Sequence, residues 1–176
     1  MSEPTPSTVL HGDAVFADPL VAELVDARLV GVLSTYDPDG FIHSTPMWYA
    51  REGCALVLAT SSRSRKVHNL SADGRATLVL HDSRPGYEVC GASIVGTVEI
   101  VRPPAASPLV DVVHWRYLDP AAAGDPETAA YLSSDDVALR FGALAAVTWD
   151  ERESGAAEVV RARGWALPLL PTEPRA

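Results

Sequence analysis

The sequence predicts a β-barrel of six mostly antiparallel strands with peripheral helices. Three observations lead there. Between residues 29 and 60, three strand patterns follow one another through turns of a few residues. Such turns join antiparallel neighbours and are too short for the crossover that a parallel pair needs, which disfavours a doubly wound sheet. The cap-plus-proline helix starts, Asp18-Pro19, Ser107-Pro108 and Asp125-Pro126, all fall outside that stretch, so those helices belong to the periphery. Late in the chain, Phe141, Ala143, Ala145, Val147 and Trp149 alternate again, the period of a half-buried strand. Strands in this number, with helices in the connections, close or nearly close on themselves.

Taken in order, residues 1–13 are rich in Ser, Thr and Pro and read as a loose tail. Asp18 caps a first helix with Pro19 at its first position, and Leu20, Leu24 and Ala27 recur at helical spacing through Arg28. Residues 29–36 form a strand, Asp37-Pro38-Asp39-Gly40 a tight turn, and residues 41–50 the returning strand. A turn at Arg51-Glu52-Gly53 leads to a third strand over 54–60. The serine-rich stretch that follows predicts a short helix over about 63–72, stopped by Gly74. Residues 75–82 make a fourth strand and 87–101 a long fifth, in which Gly91 and Gly96 mark bulges or bends. Leu109, Val112, Val113 and Arg116 or Tyr117 give the next helix a buried stripe. The alternating segment 141–149 is the sixth strand, and 167–176, with three prolines, is an irregular end. Residues 14–166 are thus expected to be one domain.

Composition narrows the function classes. The chain has 176 residues, 47% hydrophobic, enough for a sizeable core. No apolar run is long enough to span a membrane, and the N-terminus lacks the basic-then-apolar pattern of an export signal, so a cytoplasmic location is expected. With 14 basic and 23 acidic residues the net charge is −9, which repels nucleic-acid backbones and anionic lipid. Cys54 and Cys90 belong to no CxxC pair and are expected as buried apolar groups. The five histidines show no metal-ligand spacing, so no metal is expected.

Two stretches carry chemistry. In Thr60-Ser61-Ser62-Arg63-Ser64-Arg65-Lys66-Val67-His68-Asn69 a strand ends in hydroxyls and enters a helix with three cations. Helix N-termini present unpaired N–H groups and partial positive charge; with Arg63, Arg65 and the chain's single Lys they form an anion cradle in an acidic protein. A solvated basic turn with a capping serine is the other reading. In Ile42-His43-Ser44-Thr45-Pro46-Met47-Trp48-Tyr49 a proline interrupts a strand, which places it at an edge or bulge. The flat side chains beside it, with free backbone, can flank a planar ring, or simply pack as an aromatic edge.

The motifs LSTYDPDGFIHSTPMWY, LVLATSSRSRKVHNL and RATLVLHD, in this order, resemble the pyridoxamine 5′-phosphate oxidase-like split-barrel family. More narrowly they are similar to its branch of F420-dependent (deazaflavin) reductases. The resemblance covers roughly residues 20–101. It implies an FMN-binding type of split barrel, and a homodimer with cofactor clefts between subunits. It places the phosphate of F420 or FMN at Thr60, Ser61, Lys66 and Asn69, with Arg65 nearby. His43, Ser44, Pro46, Met47 and Trp48 then run beside the ring. The C-terminal Arg and Trp contacts of true pyridoxamine phosphate oxidases have no counterpart in WALPLLPTEPRA, so vitamin B6 oxidation is not expected, and no histidine pair suits haem.

The resemblance implies hydride transfer between F420, narrowly preferred, or FMN and a small unsaturated or quinone-like substrate. The cofactor carries such chemistry, and neither GxSxG nor a Cys–His signature is present, so no catalytic side chain is assigned. Tyr49, Tyr87 or Trp115 could border the substrate. Arg63, Arg65 and Arg84 are available to an anionic cofactor tail. The alternatives are a non-catalytic module that stores the cofactor or senses redox state, and a cofactor-free dimeric interaction protein.

Overall fold

The structure, a computed structural model, describes residues 8–84, 88–132 and 134–163. The chain enters through β1 (Thr8–His11), α1 (Ala14–Ala17) and α2 (Pro19–Asp26). As the sequence predicts, Asp18 Oδ1 accepts from the backbone N–H groups of Leu20 and Val21 at 3.0 and 3.1 Å, satisfying two of the helix's unpaired donors. There follow β2 (Gly31–Tyr36), β3 (Ile42–Met47), β4 (Tyr49–Glu52), β5 (Ala55–Ser61), α3 (Arg65–Ala72), β6 (Arg75–Arg84) and β7 (Glu88–Val101). The chain then forms α4 (Ser107–Tyr117), a 3-10 turn (Pro120–Gly124), α5 (Pro126–Leu132), β8 (Asp136–Asp150) and α6 (Gly155–Arg163).

Among the described residues one sheet holds every strand, in the order β3-β2-β6-β7-β8-β5-β4, with β1 added on β8. All pairings are antiparallel. β3 and β4 are neighbours in the chain, with Trp48 alone between them, yet they lie at opposite margins of the sheet. One run of chain therefore links both margins, which forces the sheet to curl into a half-open barrel. The sequence reading of a continuous strand over 41–50 is corrected here: Trp48 turns the chain out of one ladder and into the other. The expected six strands become eight by this division and by β1, which lies inside the segment read as a tail. The apolar pattern of β1 is only Val9 and Leu10, too short to signal a strand; its pairing with residues 145–148 makes it one. The expected tail 167–176 and Tyr87 lie outside the described residues.

Alternation fills the barrel. Leu33, Leu56, Leu58, Leu78, Leu80, Ile94, Leu139 and Phe141 are fully buried, each contributing roughly 1.5–3 kcal/mol of apolar burial. Val21, Leu24 and Val25 of α2 belong to the same cluster. α4 covers the outer face of β5 and β8 through Val110 and Val113, which pack with Val57 and Ala138. Its buried face is Val110, Val113 and His114, whereas Val112 is exposed, so the expected stripe is rotated. Ser107 lies inside that helix and makes no cap. Asp125 does cap α5, accepting from Glu127 and Thr128 at 2.8 and 3.1 Å. Cys90 is buried and Cys54 exposed, because Cys54 falls in the turn before β5.

The long β7–β8 ladder shifts register between Val95 and Gly96, as the glycine predicts. A Cβ on Gly96 would stand 2.2 Å from the Gly142 carbonyl oxygen, so the two strands cross without side chains between them. On the outer sheet face, Val32, Val79, Ser93, Val147 and Val9 stand in one register row. Val9, Val32, Val95 and Val147 are exposed there.

Candidate functional site

The split opens where β3 and β4 part. β5 has β4 as a neighbour only through Leu58, and β3 ends the sheet on the other side. Two backbone edges thus lack a strand partner and diverge from Trp48, one at Pro46-Met47 and one from Ala59 onward. A cavity of about 210 Å³ lies there, walled by Pro46, Met47, Trp48, Ala59, His114 and Tyr131 among others. A second, of about 230 Å³, shares Trp48 and Tyr131 and extends along Glu127 and Thr128.

Trp48 is held from behind. Its ring stacks on Tyr117 at 5.0 Å with the planes parallel, and Tyr131 meets it edge-on at 6.1 Å. Tyr117 Oη donates to the Leu29 carbonyl at 2.6 Å and Tyr49 Oη to the Leu24 carbonyl at 2.9 Å. Arg116 Nη2 donates to the Val25 carbonyl at 2.5 Å. α4 and the C-terminal end of α2 are thereby bolted together beneath the joint. Burial raises the Tyr49 hydroxyl above its ordinary pKa, so it remains a donor.

At the other margin β5 runs into α3. Lys66 Nζ donates to Thr60 Oγ1 at 3.2 Å, and Thr60 Oγ1 donates to Ser64 Oγ at 3.4 Å. Burial alone lowers the Lys66 pKa. Among the described residues no carboxylate pairs with it. Its neighbours are neutralised. Arg65 Nε donates to the buried carboxylate of Asp37, whose pKa that contact lowers. Arg63, its side chain 87% exposed, pairs with Asp135 at 3.0 Å. Asp135 Oδ1 also accepts from Ser61 Oγ at 2.7 Å, and Oδ2 from Ser62 Oγ at 2.6 Å. Those hydroxyl bonds, ahead of Arg63, hold its carboxyl far below the usual range.

The structure therefore divides the sequence-predicted residues. It brings Pro46, Met47 and Trp48 to the cavity and joins Thr60 to Lys66. Ser61 is spent on Asp135 and Arg65 on Asp37. Asn69 is fully buried, donating from Nδ2 to Thr35 Oγ1 at 3.1 Å. Ser44 is hydrogen-bonded to Ser34 across the ladder at 2.8 Å, and neither it nor His43 is among the cavity walls. Tyr49 belongs to the core, Trp115 is 39% exposed, and the Arg84 side chain lies outside what is described. Sequence reasoning did not select Thr45, whose hydroxyl is buried without a partner, nor Tyr131. Nor does it select His114, or Asp135 and Asp136, which only the β5–β8 pairing brings to this margin. Among the described residues no group of three or more His, Cys, Asp or Glu is placed to hold a metal. No described helix is long and apolar enough to cross a membrane.

A half-buried cation with one hydroxyl neighbour and no counter-charge among the described residues fits an anionic group such as phosphate. The flat, partly open wall at Pro46–Trp48 fits a ring. The profile of the pyridoxamine 5′-phosphate oxidase family matches residues 17–153. No curated protein matches the chain. Among solved structures, conserved hypothetical protein Rv2991 from Mycobacterium tuberculosis is 30% identical with a TM-score of 0.64, covering 88% of this chain and 90% of its own. A protein described as an F420 reductase is 24% identical with a TM-score of 0.52, covering 70% of this chain and 93% of its own. An FAD-binding protein from Mesorhizobium loti is 16% identical with a TM-score of 0.55, covering 82% and 99%. These last two share the fold.

Proposed function

The chain belongs to the pyridoxamine 5′-phosphate oxidase family, and on that premise we propose that it is an F420- or FMN-dependent oxidoreductase. The observation that carries this reading is Lys66, a half-buried cation with no carboxylate partner among the described residues, bonded to Thr60 next to the cavity-lining Ala59. A cation so placed costs stability until an anion joins it. Lys66 and Thr60 would hold the cofactor's phosphate by charge and hydroxyl. Pro46, Met47 and Trp48 would flank its ring, with Trp48 kept in plane by Tyr117.

When bound, the cofactor supplies the hydride. The protein orients the ring, keeps water from one of its faces and leaves the other to a small unsaturated or quinone-like substrate. F420 is narrowly preferred, because Arg63, although paired with Asp135, is exposed beside the cradle where an anionic tail would pass. The exposed valine row on the outer sheet face supports a homodimer, and a cytoplasmic location belongs to the same reading.

Titration of the purified protein with FMN and F420 side by side tests the reading. Micromolar binding of either, followed by reduction of an enone or quinone by the reduced cofactor, is expected. Binding without turnover would favour a cofactor-storage or redox-sensing module. One observation favours a cofactor-free dimer instead: Asp135 already occupies Ser61, Ser62 and Arg63. Failure of both cofactors to bind would leave that reading.

A further inference from the structure

His114 is 1% exposed and forms part of the cavity wall. Neither ring nitrogen has a hydrogen-bond partner among the described residues, although Nε2 stands 3.3 Å from Asp136 Oδ2. Buried polar atoms are nearly always satisfied, so an orphan on a cavity wall calls for a partner from the cavity.

The chemistry of that partner follows from the groups around the imidazole. Burial lowers the His114 pKa, against the opposing pull of Asp136 on β8 and Asp111 on its own helix. From α5, Tyr131 packs on the ring at 5.0 Å between centroids, tilted by 45°; its own hydroxyl is held neutral by burial. The neutral imidazole carries one proton, and the carboxylate beside Nε2 draws it to that nitrogen. Nδ1 is then a lone pair, an acceptor only.

We infer that His114 selects the ligand of this cavity by accepting, at Nδ1, a hydrogen bond from a flat ring that presents an N–H or O–H donor. The flatness comes from Trp48, Pro46 and Met47, which line the same cavity. The cavity volume of about 210 Å³ falls short of the roughly 300–1,000 Å³ usual for a whole organic ligand, so a ring system is its natural occupant. Asp136 is a positioning residue, since it acts through the imidazole. The inference rests on the proposed function only in taking the split as the ligand site. It requires no phosphate.

Two probe pairs without phosphate test it and separate a cofactor ring from a substrate ring. Lumichrome is compared with 1,3-dimethyllumichrome, and 1-naphthol with 1-methoxynaphthalene, by fluorescence or calorimetric titration of the full chain. In at least one pair the donor-bearing member is expected to bind about tenfold more tightly, the worth of one hydrogen bond to a buried acceptor. The lumichrome pair responding points to the cofactor ring, and the naphthol pair to the substrate.

His114→Phe should abolish the preference, and His114→Asn, which keeps an acceptor near Nδ1, should retain part of it. In the unaltered protein, ¹⁵N NMR should show the His114 Nδ1 resonance moving on addition of the preferred probe while Nε2 stays close to its place. That arm decides the matter if His114→Phe does not fold. Equal affinities within both pairs, absence of binding by all four probes, a preference that survives His114→Phe, or an unmoved Nδ1 resonance would overturn it. Phosphate binding through Lys66 could still hold in each of those cases.

Discussion

Replacing Lys66 with methionine should move ligand binding and stability in different ways. The ammonium is half-buried and touches one hydroxyl, so a bound phosphate gains a charge-assisted contact that water screens poorly. Removing it should cost about 1.5–3 kcal/mol of binding, roughly a 10- to 150-fold rise in Kd for F420 or FMN. Without ligand the balance differs. Burial penalises the charged lysine, so its folded pKa lies below the usual 10.5. The penalty is full below the folded pKa and fades as pH rises from there toward the unfolded value. Methionine escapes it at neutral pH, losing only the bond to Thr60. The ligand-free variant should therefore melt no lower than the parent. Calorimetric titration and differential scanning fluorimetry read the two effects on the same samples. Unchanged Kd in a folded variant would refute the phosphate role. A melting temperature lower by more than about 3 °C, near 1 kcal/mol for this size, would show that the lysine serves the fold.

Asp135→Ala should release the Ser61 and Ser62 hydroxyls and the Arg63 guanidinium; affinity for a phosphate-bearing cofactor is expected to rise about tenfold, and a fall in titration would show that the carboxylate orders the cradle instead. Gly96→Ala sets a methyl 2.2 Å from the Gly142 carbonyl oxygen and should cost at least about 2 kcal/mol in urea unfolding; a loss below 0.5 kcal/mol, a threshold of ~0.5 set by ordinary surface changes, would mean the crossing can widen. Val147→Lys, in the exposed valine row, should convert a dimer to monomer in light scattering, and an unaltered mass would place any dimer contact elsewhere.

Most of the barrel was legible because its signals are local. Asp18-Pro19 and Asp125-Pro126 announce helices through caps that the structure contains, and alternation along 75–82 and 141–149 marks strands whose pairing is fixed by burial of one face. The joint at Trp48 was not legible, since a strand that changes partners keeps its extended backbone and its pattern. The cradle was half legible. Three cations near a helix start looked alike in sequence, but Asp37 and Asp135 neutralise two of them from 28 and 72 residues away. Such pairing depends on strand order, which no spacing rule supplies. His114 illustrates the same limit: its environment comes from Asp136, brought beside α4 by the β8–β5 ladder.

The joint at Trp48 also governs how this architecture can be resized. Because a single covalent tether spans from one rim to the other, the slot's width is set by peptide geometry and not by packing alone. One inserted residue would lengthen the tether by up to about 3.8 Å, but it would also reverse which side chains of one rim face inward. Homologues that admit bulkier guests should therefore carry insertions of even length at this point.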